Sequence, residues 1–426
     1  MPTIAPELLK SISKDIFFIK CTEDKYIVSL PLRGVAFYSG KAGVDELQRT
    51  LRGNSENIRQ ETLDYVRYLC SLPIRPISQK EAKPLFGPYI SIILHQKCNF
   101  ECIYCFAHDA RGNESLSQND IKFIIDQWAK GSSDHKKITF IGGGEPTLSW
   151  DLLRWSIEYI HKIFAKENVK IVLVTNGSLL SHERISFLKC HNVIVSLSFD
   201  ILPDIQDRQR KLFNSTKSSF EAVDCFLKDA YESRLSCEIR CTVTPSIVQQ
   251  MADMVRFVAD NYKGVRKIHF EHVTSSKNPE DFYSKYTDAF FEAREIGRRL
   301  GLTVYNSISS SQGKVRHSFC SGTSCFVPTQ SGEIICTACH RASSEKDELM
   351  NTFKKAIIHQ DQTIEIFNRP HEMIRGAMPE CETCHAKWQC AGSCVMERLV
   401  IGPKLFIKRC EMVREFNKRL LEEQLN

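Results

Sequence analysis

Long hydrophobic runs are missing from this sequence. No stretch approaches the roughly 18 apolar residues that a membrane helix needs, and the clearest apolar segments, 171–174 and 194–199, are strand-sized. The opening residues, MPTIAPELLKSISKD, lack the apolar core of a signal peptide. The expectation is a soluble, cytoplasmic protein without a membrane partner. A Lys/Arg-rich block is also absent. Lys plus Arg number 57 against 51 acids, a net charge of +6. That mild excess suits an acidic substrate and argues against a nucleic-acid partner. With 42% hydrophobic and 25% charged residues, the chain can bury a core and is neither disordered nor fibrous. Its 426 residues suggest two or three domains. What is abundant is cysteine, at 18 residues. In a cytosolic chain, that abundance points to metal rather than to disulfides.

Residues 1–85 read as a small α+β unit. Strand-like stretches at 17–19 and 26–32 precede helical patterns at 43–51 and 58–72, and a linker with Pro73, Pro76, Pro84 and Pro88 follows. Residues 86–305 alternate short apolar runs with amphipathic helices. The runs are 90–94, 138–141, 171–174, 193–197, 237–243 and 268–273. Two of the helices place Ile121, Ile124, Ile125 and Trp128, and Met251, Met254, Val255 and Val258, at i, i+3, i+4, i+7. Six βα units predict an α/β fold with a parallel sheet, a partial (β/α)6 TIM-like barrel carrying its chemistry on the loops after the strands. Residues 306–426 hold Cys320, Cys325, Cys336, Cys339, Cys381, Cys384, Cys390, Cys394 and Cys410, and read as a domain organised by metal.

The first expected strand is followed by Cys98-Asn-Phe-Glu-Cys102-Ile-Tyr-Cys105. Three thiolates within eight residues can hold three irons of a [4Fe–4S] cluster and leave the fourth open to a chelating ligand. As residues alone they also allow a zinc site short of one ligand, or three unrelated buried thiols. The C-x3-C-x-aromatic-C motif resembles that of radical S-adenosylmethionine (SAM) enzymes. The resemblance implies that the open iron chelates the amine and carboxylate of SAM. It also implies that reductive cleavage of SAM gives a 5′-deoxyadenosyl radical that abstracts a substrate hydrogen. It assigns Tyr104, the aromatic residue of the motif, to the cofactor site.

Gly142-Gly143-Gly144-Glu145-Pro146 ends the second strand. Glycines let backbone approach a ligand closely, and a carboxylate can pair with an ammonium group. The segment resembles the family's GGEP motif, which gives Gly143, Gly144 and Glu145 the amino group of SAM. Thr175-Asn176-Gly177 ends the third strand. Ser196-Leu-Ser198-Phe-Asp200 ends the fourth and resembles a SxDG segment, placing Ser198 and Asp200 near the SAM ribose, although Ile201 stands where the family has Gly. Residues 206–210, Gln-Asp-Arg-Gln-Arg, resemble a HDxxR stretch with Gln206 in place of His. Arg240, in the fifth strand, is the candidate for the SAM carboxylate; an ordinary strand arginine paired with an acid is the alternative.

Cys381-x2-Cys384-x5-Cys390-x3-Cys394 followed by Cys410 resembles the SPASM extension of peptide-modifying radical SAM enzymes. By position, one auxiliary [4Fe–4S] cluster takes Cys320, Cys325, Cys336 or Cys339, and Cys394; the other takes Cys381, Cys384, Cys390 and Cys410. The alternative is zinc on Cys336, Cys339, Cys381 and Cys384, which leaves Cys390, Cys394 and Cys410 without partners. Cys21, Cys70, Cys190, Cys225, Cys237 and Cys241 read as core filler. His95 and His108 are expected not to ligate the cluster. The acid that serves as general base in sulfatase-maturing relatives is not carried over, since Thr337 or His340 stands there.

The resemblance implies three [4Fe–4S] clusters, SAM, a peptide or protein substrate such as a ribosomal precursor peptide, and a reducing donor such as flavodoxin or ferredoxin. The reaction is expected to be a thioether or carbon–carbon crosslink or a side-chain oxidation. Formylglycine formation in a sulfatase, small-molecule oxidation and a non-catalytic zinc scaffold are the rivals. The N-terminal unit loosely resembles the winged-helix module that binds leader peptides by strand addition; a cap over the barrel is the alternative.

Overall fold

The computed structural model describes residues 5–54, 57–77, 84–131, 135–165, 168–320, 322–345, 348–367 and 379–426. The chain divides into two compact units, not three consecutive segments. Unit 1 gathers Met1–Glu81, Ser307–Cys320 and His371–Asn426; unit 2 gathers Ala82–Asn306 and Ser321–Pro370. The expected 306–426 domain is therefore split between them. Among the described residues, no helix is long and apolar enough to cross a membrane.

In unit 1, α1 (Pro6–Ser13) leads into an antiparallel sheet of β1 (Phe17–Lys20), β2 (Lys25–Leu30) and β3 (Val35–Gly40), in that order. Helices α2 (Lys41–Leu51) and α3 (Gln60–Ser71) follow. Ile12, Val28, Leu30, Val44, Leu47, Val66 and Leu69 form the core, with Cys70 packed at its edge. Asp15 and Arg33 are buried in it as an ion pair at 3.4 Å. Both Asp15 oxygens accept from Leu32 N, and Arg33 Nε donates to Leu69 O. The C-terminal helical segment Val395–Leu425 is two helices joined at Gly402, whose φ of 72° stops the first, while Pro403 opens the second.

Unit 2 is built on one mixed sheet. Its strands are β4 (Tyr89–Ile92), β6 (Lys136–Phe140), β7 (Val169–Thr175), β8 (Ile194–Ser198), β10 (Cys237–Val243), β11 (Lys267–His272) and β12 (Thr303–Tyr305), with β13 (Ser324–Pro328), β14 (Ile334–Thr337), β15 (Lys354–Ile358) and β16 (Ile364–Ile366). The order is β12-β11-β10-β8-β7-β6-β4-β13-β14-β15-β16. Every pairing from β12 to β13 is parallel, and the last three are antiparallel. The six strands expected from the apolar runs lie side by side in chain order. Near-continuous burial in β7, at Val169, Ile171, Val172, Leu173 and Thr175, is what a parallel strand covered on both faces requires. A separate two-stranded ribbon pairs β5 (Phe100–Cys102) with β9 (Arg210–Leu212).

Both expected helices form. Gln118–Ala129 opens on a Ser117/Asp120 capping box and buries Ile121, Ile124, Ile125 and Trp128; Met251–Asn261 buries Met251, Met254, Val255 and Val258. Each such side chain contributes about 1.5–3 kcal/mol. Because β4, β6, β7 and β8 run parallel, the cysteine loop, Gly142–Pro146, Thr175–Gly177 and Ser198–Asp200 all emerge at the C-terminal end of the strands. The extra strand β13 joins β4 because a parallel sheet has an open edge whose backbone groups need partners. That pairing draws 324–366 into unit 2.

Candidate functional site

The cysteine loop is held by backbone. Cys102 lies on β5, directly opposite Arg210 on β9. Cys98 Sγ accepts from Phe100 N at 3.4 Å. Burial pushes Cys98 up to about 11 and Cys102 up to about 12, and each feels the neighbouring Cys105. Without a bound cation these groups stay thiols at neutral pH, so a metal must displace their protons. Among the described residues, no three Cys, His, Asp or Glu side chains are drawn in as tightly as a single metal ion requires. A four-iron cluster is larger and needs its thiolates farther apart. His95 is buried with Nδ1 accepting from Lys97 N, and exposed His108 faces Glu101 and Asp109.

The glycine segment is packed against the entry to that loop. Gly144 N donates to His95 O at 3.2 Å, and Glu145 N to Lys97 O at 2.8 Å. A Cβ at Gly144 would overlap the Lys97 carbonyl, and one at Gly143 the Gln96 side chain. Gln96 is 1% exposed, and its Oε1 has no hydrogen-bond partner among the described residues. The glycines, the orphaned acceptor and three adjacent thiols make a donor set that fits a cluster with one open iron. Glu145 departs from its expected role. Its Oε1 accepts from Thr147 N, Thr147 Oγ1 and Thr175 Oγ1, and its Oε2 from Asn176 N. The buried carboxylate ties the end of β6 to the end of β7, so it faces protein donors rather than a ligand's ammonium.

Asp200 and Tyr104 are also engaged internally. Tyr104 OH donates to Asp200 Oδ2 at 2.5 Å, and Gln209 Nε2 to the same oxygen at 2.8 Å. Thr242 N and Arg210 Nε reach Asp200 Oδ1 at 3.3 and 3.2 Å. Asp200 is fully buried, which leaves no carboxylate edge for a ribose. Gln206, the residue at the usual His position, accepts from Asp200 N through its side chain. Ile201 keeps a backbone suited to Gly, with φ of 70°, a strained value for a β-branched residue.

Ser198 and Arg240 fall in one row across four strands: Ser198 on β8, Arg240 on β10, His269 on β11 and Tyr305 on β12. Arg240 is exposed, and its guanidinium makes no hydrogen bond or ion pair among the described residues. On the same face of β10, Glu238 accepts from Ser196 Oγ at 3.2 Å and Tyr305 OH at 3.0 Å. His269 pairs with Glu271 at 2.8 Å and stacks on Tyr305. Sequence reasoning missed this polar wall. Its signal was the polar alternation Glu238, Arg240, Thr242 inside a strand counted as buried.

In unit 2, Cys325 lies close enough to Cys336 and Cys339 for both to act on it electrostatically, so proximity does not choose between them. Thr337 is buried, its hydroxyl between Cys339 N and Phe353 O. His340 meets the Phe106 ring at 6.1 Å. In unit 1, Cys381, Cys384, Cys390 and Cys410 are mutual neighbours. Burial first, with smaller contributions from adjacent thiols, pushes Cys384, Cys390 and Cys410 up, Cys410 to about 11. Buried Arg409 pairs with Glu397 at 2.5 Å and acts on Cys390 and Cys394; Cys320 and Cys390 both act on Arg316. The first expected auxiliary set is thus divided, with Cys320 and Cys394 in unit 1 and Cys325, Cys336 and Cys339 in unit 2. Among the expected core cysteines, Cys190 and Cys225 are exposed, because they lie on outward faces of helices.

Residues 92–258 match the family model of the radical SAM superfamily. The chain carries a radical SAM domain. That domain spans the cysteine loop, the glycine segment and the Asp200 network. Among curated proteins, the chain is 26% identical over 195 residues to an uncharacterized protein of Methanocaldococcus jannaschii, covering 44% of this chain and 65% of that protein. It is 24% identical over 234 residues to a cysteine-type anaerobic sulfatase-maturating enzyme of Clostridium novyi, covering 50% and 62%. The chain thus spans less than two thirds of the length of either relative. A solved structure, anSMEcpe with bound AdoMet and Kp18Cys peptide, superposes with a TM-score of 0.64 at 17% identity, over 78% of this chain and 98% of that one. That likeness shows that the α/β fold extends beyond the radical SAM domain.

Proposed function

We propose that the chain is a radical SAM maturase that modifies a peptide or protein by forming a thioether or carbon–carbon crosslink or by oxidising a side chain. When bound, SAM on a [4Fe–4S] cluster supplies, after one-electron reduction, a 5′-deoxyadenosyl radical that removes a substrate hydrogen. Cys98, Cys102 and Cys105 would hold that cluster. Gly143 and Gly144 would meet the amine of SAM through backbone, and Arg240 its carboxylate. The parallel strands would curve as a partial barrel, with Ser198, Arg240, His269 and Tyr305 lining its inner face.

The observation that carries the reading is the three-thiol loop braced against Gly142–Glu145 within residues matching the radical SAM family. A SPASM assignment is supported by the gathering of Cys381, Cys384, Cys390 and Cys410, the four residues of one auxiliary set. Two auxiliary clusters would carry away the electron left after bond formation, and flavodoxin or ferredoxin would supply the first. The relative named above favours sulfatase maturation as a second reading. Burial of Thr337 beside Cys336 leaves no acid in the position that the base occupies in those enzymes.

The test is anaerobic reconstitution with iron and sulfide, then SAM and dithionite, with 5′-deoxyadenosine measured by chromatography. The expected result is slow formation alone and faster formation with a cysteine- or serine-bearing peptide. No 5′-deoxyadenosine would remove the radical reading. Stimulation by small alcohols but not by peptides would replace the maturase with a small-molecule oxidoreductase.

A further inference from the structure

Arg210 stands where an arginine is costly. It is 7% exposed, and a buried guanidinium requires a partner charge and well-placed acceptors. Asp200, with no exposed surface, supplies the charge through Nε at 3.2 Å. The guanidinium lies over the Tyr104 ring at 5.2 Å, and Tyr104 OH closes the circuit on Asp200. Arg210 Nη1 then points to Cys102 Sγ at 3.9 Å, across the β5–β9 ribbon where the two residues are directly paired. Anchoring the ribbon needs only the Asp200 pair. The second nitrogen aimed at sulfur is the unexplained feature.

We propose that Arg210 is a positioning residue that holds the Cys102 thiolate and raises the reduction potential of the cluster bound at Cys98, Cys102 and Cys105; this rests on the radical SAM reading of that loop. Hydrogen bonds and positive charge near a ligating sulfur stabilise the extra electron of the reduced cluster. Asp200 keeps the guanidinium affordable in the folded protein, and Tyr104 and Gln209 keep Asp200 oriented.

The experiment uses the full-length chain, reconstituted with iron and sulfide, without substrate. Arg210→Met, Arg210→Lys and wild type are compared by iron content and by EPR-monitored reductive titration. Arg210→Met is expected to shift the midpoint to a more negative potential. Arg210→Lys, keeping charge but losing the planar fork, should fall between it and wild type. A second readout needs no variant: in wild type labelled with 15N-arginine, the reduced cluster should show a 15N hyperfine coupling. A titration of Arg210→Met that overlays wild type at full iron content would overturn the proposal. So would the absence of any arginine coupling, which decides the matter even if both variants fail to fold. Failure of wild type to bind a cluster at all would instead sink the radical SAM reading itself.

Discussion

The two cysteine-bearing regions solve the same problem differently. In unit 2, Cys98, Cys102 and Cys105 follow a strand of a large sheet, and a β-ribbon fixes Cys102 against Arg210. In unit 1, Cys381, Cys384 and Cys390 lie on short turns and single-turn helices, and Cys410 on the C-terminal helical segment. Each region sets one buried arginine–carboxylate pair beside its thiols, Arg210–Asp200 and Arg409–Glu397. The difference lies in what holds the thiols in place. Backbone hydrogen bonds and apolar strands preform the first set. The second is spread over turns, single-turn helices and the C-terminal helical segment, so the proposed cluster there would supply folding energy directly.

That contrast can be broken most sharply at the thiols. Changing Cys98, Cys102 and Cys105 together to Ala should abolish reductive SAM cleavage and remove about a third of the roughly twelve irons that the three proposed cubanes would hold. Hydrogen exchange of the strands of unit 2 should barely change. Persistent 5′-deoxyadenosine formation would defeat the assignment. Cys384→Ala should remove another third of the iron and, unlike the first change, raise hydrogen exchange across residues 379–426. Equal protection in both variants would erase the distinction between the regions. Run in parallel, Cys336→Ala and Cys339→Ala should differ, with only the ligand costing a cluster.

A smaller effect is expected from Gly144→Ala. The added methyl meets the Lys97 carbonyl, a backbone atom that cannot swing away. A loss of about 3 kcal/mol or more is expected, read as a lower urea midpoint for unit 2. An unchanged midpoint would mean that the glycine serves the ligand alone.

The smallest effect concerns unit 1. Burial raises Asp15 from 3.8 to about 6, against the opposing pull of Leu32 N and Arg33. The folded state therefore keeps a proton that the unfolded chain has released. The stabilisation is complete below about pH 4 and is lost as pH rises through about 6, by about 3 kcal/mol. Asp15→Asn should flatten this part of the stability profile of unit 1, measured by chemical denaturation from pH 4 to 7. An identical slope in both proteins would show that a group other than Asp15 sets it.

Sequence periodicity was enough for the six main strands and the two helices, because burial on both sheet faces leaves near-continuous apolar runs and a buried helix face repeats every 3.6 residues. Cysteine spacing likewise singled out the three-thiol loop, while it was the family resemblance that grouped Cys381, Cys384, Cys390 and Cys410. Where polar side chains point was not legible. Glu145, Tyr104 and Asp200 stand in the motifs that suggested ligand contacts, yet their polar atoms are satisfied by Thr147, Thr175, Asn176, Gln209 and Arg210. Those partners come from other strands and loops, and one residue's motif carries no record of them. The ribbon strands β5 and β9 are three residues each, too short for periodicity to register. Only tertiary structure could bring Cys102 against Arg210, 108 residues later in the chain, and hold Ile201 in a glycine's conformation. Local pattern determined which segments were buried; long-range pairing of polar groups, driven by the cost of leaving them unsatisfied, decided what each buried polar side chain does.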